Sequence, residues 1–272
     1  MYVECPRDAW QGMQTFIPTG QKIRHLANLL GAGFTHLDCG SFVSSHAVPQ
    51  MADTEAVLEA LPETKADLLC IIANQKGLTR ALACKKVSSV GYPLSISDTF
   101  QRRNTNKSLK DSWALVQEIQ SRAEHLRLVI YLSMGFGNPY NDPWDVELVL
   151  ESVATLREIG IQNIVLADTY GIADVTRVYE VSTAVVQRFG TSGIGVHLHA
   201  RAEDAVGLAQ AALDAGIVWL EGTLGGIGGC PFASDELIGN LPTEIVLPLL
   251  NINLERIPEL TQNALEIQST YL

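Results

Sequence analysis

The chain has 272 residues, 47% of them hydrophobic and 18% charged, enough apolar material for one large core. Its formal net charge of −11 argues against a nucleic-acid or anionic-membrane surface. No apolar run approaches the roughly 20 residues that cross a bilayer. The five cysteines, Cys5, Cys39, Cys70, Cys84 and Cys230, show no CxxC spacing, which fits reduced thiols. Met1–Pro6 lacks a basic region followed by an apolar stretch, so no signal peptide is visible and a cytoplasmic setting is expected.

In chain order, short β-like runs alternate with longer helical patterns. Tyr2–Cys5 is followed by a helix over Gly20–Leu30, Thr35–Cys39 by Thr54–Leu61, and Asp67–Ala73 by Leu78–Cys84. Val87–Ile96 leads into Leu109–Ala123, and Arg127–Met134 into Pro143–Ile159. Asn163–Ala167 leads to Asp174–Phe189, Ile194–His199 to Ala202–Ala215, and Val218–Glu221 to Glu236–Leu250. Eight β-then-α units with no linker between them predict a single domain over residues 1–272, an α/β fold closed as a (β/α)8 TIM barrel. In such a barrel the active site lies at the C-terminal ends of the strands. Asp8, Asp38, Asp168, the histidines of His197-Leu198-His199 and Cys230 all fall at or just after predicted strand ends.

Two histidines two residues apart on a strand face the same way, because side chains alternate across the pleat. His197 and His199 can therefore present two imidazoles to one metal ion, with Asp8 and Asn240 adding oxygen ligands. A mixed nitrogen and oxygen shell suits a divalent ion used as a Lewis acid. Cys230 sits in Gly226–Pro231 (GIGGCP), a glycine-rich loop with the freedom to close over such a site.

Pro6-Arg7-Asp8, Gly40–Ser44 (GSFVS) with Val48–Met51 (VPQM), Asp168-Thr169, His197-Leu198-His199 and GIGGCP occur in one order over nearly the whole chain. Together they resemble the hydroxymethylglutaryl-CoA lyases, within the metal-dependent barrel lyases and Claisen-type synthases. The resemblance implies divalent-metal-dependent cleavage of 3-hydroxy-3-methylglutaryl-CoA to acetyl-CoA and acetoacetate. It implies Mg²⁺ or Mn²⁺ held by Asp8, His197, His199 and Asn240, an acyl-CoA substrate, and a homodimer.

Within that reading Arg7 stabilises the developing enolate and Cys230 returns a proton to it. Asp38 and Asp168 are the acid–base candidates. Asp38 stands where better-known members carry glutamate, one methylene longer, so a water or a backbone shift would fill the difference. Ser97–Asn104 resembles the segment after the fourth strand; there Arg102 and Arg103 suit coenzyme A phosphates and Asn104 the acyl portion. Gln11, Ser41 and Tyr140 complete the substrate-binding candidates, and Trp10 places a bulky aromatic at the mouth. A related lyase or aldolase for another 3-hydroxyacyl-CoA, and a non-catalytic barrel binding metal or CoA, stand as alternatives.

Overall fold

Each predicted apolar run becomes a parallel strand, because the chain between consecutive runs is long enough for a helical crossover and too long for a hairpin. The computed structural model describes residues 1–228 and 238–272. Around the barrel stand β1 (Tyr2–Glu4), β2 (His36–Ser41), β3 (Asp67–Ile71), β4 (Ser89–Ser95), β5 (Arg127–Ser133), β6 (Asn163–Asp168), β7 (Ile194–Leu198) and β8 (Leu220–Gly222). Every neighbouring pair is parallel, and β1 pairs with β8 to close the barrel in sequence order.

The helices are α1 (Pro6–Gln11), α2 (Thr19–Gly31), α3 (Thr54–Ala60), α4 (Gln75–Ala83), α5 (Asp98–Thr105), α6 (Leu109–Arg122), α7 (Val146–Glu158), α8 (Val175–Phe189), α9 (Ala205–Asp214), α10 (Thr243–Leu249) and α11 (Ile257–Tyr271). The strand expectations hold to within a few residues. Three helices were not foreseen. Six-residue α1 is too short to show a period, α5 has few apolar residues, and α11 lies beyond the eighth unit. The predicted final helix from Glu236 is α10, which starts at Thr243 after a proline at its N-cap.

Two cores follow from strand alternation. Val3, Cys5, Leu69, Val129, Tyr131, Val165 and Trp219 fill the barrel interior, while the larger cluster lies between strands and helices. Gly195 makes room for the indole of Trp219, since a Cβ there would sit 2.6 Å from it. Above this packed floor, at the C-terminal strand ends, a cavity opens.

Candidate active site

The first loop of the barrel is itself a helix. Pro6 at its first position pre-sets the backbone of α1, so Arg7, Asp8 and Gln11 share one helical face and Trp10 takes another. Arg7, Asp8 and Gln11 line a cavity of about 380 Å³ at the barrel mouth. Trp10 does not reach it: the ring is buried edge-on against His25, 5.6 Å between centroids, so the expected bulky aromatic at the mouth is corrected.

Arg7 is buried beneath that face and joins two carboxylates. Its Nε donates to both oxygens of Asp38 at 3.2 and 3.0 Å, and Nη2 pairs with the same group. Its Nη1 donates to Asp8 Oδ1 at 2.8 Å and to Gln11 Oε1 at 3.0 Å. Asp38 reaches the guanidinium directly, without an intervening water. The β2–β3 register shifts between Asp38 and Gly40, so the backbone is irregular at this position. Asp38 is fully buried, lies within β2 rather than at its end, and does not line the cavity. Asp38, an acid–base candidate, therefore contacts Arg7 and not the cavity.

The two aspartates differ in acidity for physical reasons. Burial would raise Asp8, but the adjacent Arg7, and then His197 and His199, hold it well below the usual carboxylate range. Burial pushes Asp38 up to about 6, against the pull of Arg7. Their environments set them apart although both touch one guanidinium.

His197 and His199 face the cavity as the alternation argument requires, His199 through a bridge to Asn240 just past the end of β7. The Nδ1 of His197 lies 3.0 Å from Glu221 Oε2, and the Nδ1 of His199 lies 3.2 Å from the Ile238 carbonyl. Hydrogen bonds from both Nδ1 atoms to these oxygens would leave two Nε2 lone pairs facing each other across 3.3 Å. That arrangement calls for a cation between them. Burial, followed by the neighbouring His197, lowers His199 to about 4; His197 is raised because Glu221 and Asp8 outweigh its burial.

A donor from each of Asp8, His197 and His199 lies within 4.8 Å of the others. Two nitrogen ligands at right angles around an ion ~2.1 Å away would themselves be about 3 Å apart. The nearby Asn240 is 2% exposed, and its Nδ2 donates to Asp8 Oδ2 at 2.8 Å and to the Ile227 carbonyl at 3.0 Å. Its Oδ1 has no hydrogen-bond partner among the described residues, although buried. A buried acceptor left free beside two lone pairs and a carboxylate fits a metal ion's ligand set. Gly228, at φ +117°, keeps this contact open, because a Cβ there would meet Asn240 Nδ2 at 2.6 Å.

The remaining candidates divide. Ser41 and Asn104 line the cavity with Gln11. Ala167 and Thr169 line it too, but Asp168 between them points the other way. Asp168 accepts the backbone N–H groups of Ile172 and Ala173 at 3.2 and 2.9 Å, so it anchors the loop after β6 and does not line the cavity. Arg102 pairs with Asp98 on the surface, and Arg103 stacks on Tyr140, 4.8 Å from the ring centroid. Tyr140 hydrogen-bonds Tyr170; none of the three lines the cavity. Cys230 lies outside the described residues. The approach to its loop is tied down where Leu224 N–H donates to Glu4 and Gly225 N–H to Glu244.

Sequence reasoning passed over Glu221, Tyr131 and Phe100. Tyr131 and Phe100 line the cavity, and Glu221 lies buried beneath it. Each reads as ordinary core or strand residue; the only signal for Glu221 is a charged residue at a strand end two places after Trp219.

Fold and site define the class: a (β/α)8-barrel enzyme whose Asp8, His197 and His199 can hold a metal ion beside a buried arginine. The HMGL-like family model matches residues 4–269. The hydroxymethylglutaryl-CoA lyase of Bacillus subtilis (strain 168) is 31% identical over 262 residues, covering 93% of this chain and 87% of that protein. The 3-hydroxy-3-isohexenylglutaryl-CoA/hydroxymethylglutaryl-CoA lyase of Pseudomonas aeruginosa is 31% identical over 249 residues, covering 90% and 82%. The solved structure of an HMG-CoA lyase from Acinetobacter baumannii, in complex with coenzyme A and 3-methylmalate, superposes with a TM-score of 0.92 at 28% identity. That match covers 99% of this chain and 91% of the other. The chain belongs to the HMGL-like family and is a carbon–carbon lyase of the HMG-CoA lyase type.

Proposed function

We propose that the enzyme cleaves 3-hydroxy-3-methylglutaryl-CoA to acetyl-CoA and acetoacetate by a retro-Claisen reaction, with Mg²⁺ or Mn²⁺ bound by Asp8, His197, His199 and Asn240. The observation that carries it is the meeting of the cation-ready face of Asp8, His197, His199 and Asn240 with a buried guanidinium at one cavity. In net, cleavage moves the 3-hydroxyl proton to C2: the C2–C3 bond breaks, the hydroxyl carbon becomes the ketone of acetoacetate, and the thioester enolate is protonated at C2 to give acetyl-CoA. When bound, the ion supplies Lewis-acid polarisation of the substrate's oxygens.

The chain's own groups do the rest. Arg7 carries a permanent charge that burial and two carboxylates fix in place, so it is preorganised for negative charge developing on the thioester oxygen. Asp38 holds that guanidinium from behind. Gln11 bridges Arg7 and Asp8, keeping both aimed at the cavity. Ser41 and Asn104 offer hydrogen bonds to the acyl portion. Cys230 returns the proton to C2, as the resemblance implies, and Arg102 and Arg103 meet the coenzyme A phosphates outside the mouth, where both are exposed.

The test is release of acetoacetate and acetyl-CoA from HMG-CoA with Mg²⁺ or Mn²⁺ and with a chelator. Equal amounts of both products, abolished by the chelator and restored by the ion, are expected. No release by folded, ion-loaded protein overturns the reading.

A further inference from the structure

Beneath the proposed ion ligands, on the inner face of β8, Glu221 is 1% exposed and gathers four donors. Oε1 accepts Trp219 Nε1–H at 3.1 Å and the Tyr131 hydroxyl at 3.3 Å. Oε2 lies 3.0 Å from His197 Nδ1, with the Cys5 thiol 3.9 Å away. Strand alternation puts it there: Trp219 and Glu221 face the interior, while Leu220 belongs to the outer core.

We propose that Glu221 is a positioning residue that fixes His197 as its Nδ1–H tautomer, leaving Nε2 free to ligate the ion, while orienting the cavity-lining Tyr131 through the same carboxylate. This rests on the metal-dependent reading of the site above. A histidine bound to a metal through one nitrogen needs the other satisfied, and a buried carboxylate does this while raising the ligand's basicity. Cys5 Sγ, His197 Nδ1 and Glu221 also fall within 4.8 Å of one another, the spacing of a second ion site. A hydrogen bond accounts for them better, because the 3.0 Å contact is already N–H···O length and the fully buried Cys5 keeps its proton.

The donor arithmetic makes the role testable with an isosteric change. The Trp219 indole can only donate, so any side chain at 221 must keep an acceptor on that side. The amide introduced by Glu221→Gln therefore turns its NH₂ toward His197 Nδ1, and the ring must move its proton to Nε2. Imidazole ¹⁵N spectra of metal-free wild type in mildly alkaline buffer should show His197 as the Nδ1–H form, and Glu221→Gln should show Nε2–H. Mn²⁺ affinity by calorimetry should fall roughly 10–100-fold in the variant. Coenzyme A affinity should stay unchanged.

A wild-type His197 in the Nε2–H form overturns the proposal, even if the variant fails to fold. So does a folded variant that keeps the wild-type tautomer and Mn²⁺ affinity. Wild type that binds no Mn²⁺ overturns the reading of the metal site instead, and the tautomer measurement still decides the role of Glu221.

Discussion

Replacing Arg7 by methionine removes the charge and keeps most of the side-chain volume, so it separates what the guanidinium does for folding from what it does for chemistry. Taking one partner out of a buried ion pair costs roughly 3–5 kcal/mol when the other stays charged. Asp38 need not stay charged. It titrates at about 6 with Arg7 present, and without Arg7 its pKa climbs further. At pH 7 it then folds as the neutral acid, and the added cost is the gap between pH 7 and its present pKa, about one unit or ~1.4 kcal/mol. Asp8 keeps its two histidines and Asn240, so the total loss at pH 7 should be about 2 kcal/mol, below the usual range.

The sign of the pH dependence follows from linkage. A carboxyl whose folded pKa lies above its unfolded value contributes stability at low pH that is lost as pH rises to the folded pKa. In wild type that loss ends near 6; in Arg7→Met it continues higher. Urea unfolding should therefore show a deficit that is small at pH 6 and grows by about 1.4 kcal/mol per pH unit above it. With HMG-CoA, kcat should fall by about 10²–10³ with little change in coenzyme A affinity, the scale of losing one preorganised charge-stabilising donor. A stability deficit equal at pH 6 and pH 8 refutes the proton uptake by Asp38. A kcat within tenfold of wild type refutes the role of Arg7 in the chemical step.

His199→Ala should abolish chelator-sensitive turnover and Mn²⁺ binding while the fold persists by circular dichroism; unchanged Mn²⁺ affinity would remove it from the ligand set. Cys230→Ser should slow turnover with Mn²⁺ binding intact, and an unaffected rate would reject the proton-return role. Asp168→Ala leaves the backbone N–H groups of Ile172 and Ala173 without their acceptor, so it should cost about 1–3 kcal/mol in unfolding and raise hydrogen exchange in that loop. Its coenzyme A affinity should change less than its stability, and the reverse order would return Asp168 to the substrate site.

The barrel was legible because eight apolar runs and their spacing carry it, and each crossover has one allowed hand. The direction of the two histidines was legible for a similar reason: period-two alternation on β7 fixes where His197 and His199 point. The misplacements share a cause. A motif gives order along the chain but not which side of the backbone each residue takes. On β6 the same alternation that brings His197 and His199 inward turns Asp168 outward, between inward Ala167 and Thr169. Trp10 was lost to the short helix α1, which no periodicity announces, and Glu221 is identified mainly by what the distant Cys5, Tyr131 and His197 donate to it. Such convergence is set by the closed barrel and leaves no local pattern.

The two histidines differ enough in environment that metal binding should report it as a proton count. An ion can take their Nε2 atoms only when both are unprotonated. His199 is held near 4 by burial and by its neighbour, so at pH 6 it is already neutral. His197 sits above the ordinary 6.5 because Glu221 and Asp8 outweigh burial. At pH 6 most molecules therefore carry that proton. Asp8 is ionised throughout and contributes nothing to the count. Mn²⁺ titrations in buffers of different ionisation enthalpy should therefore release close to one proton per ion at pH 6, falling toward zero as pH rises above the His197 pKa. Apparent affinity should rise with pH over the same interval and then level off. Two protons per ion would mean that the histidines are equivalent and that the Glu221 contact does not distinguish them. None at pH 6 would mean either that Glu221 and Asp8 do not raise His197 or that the ion does not take its Nε2, and both refute the reasoning.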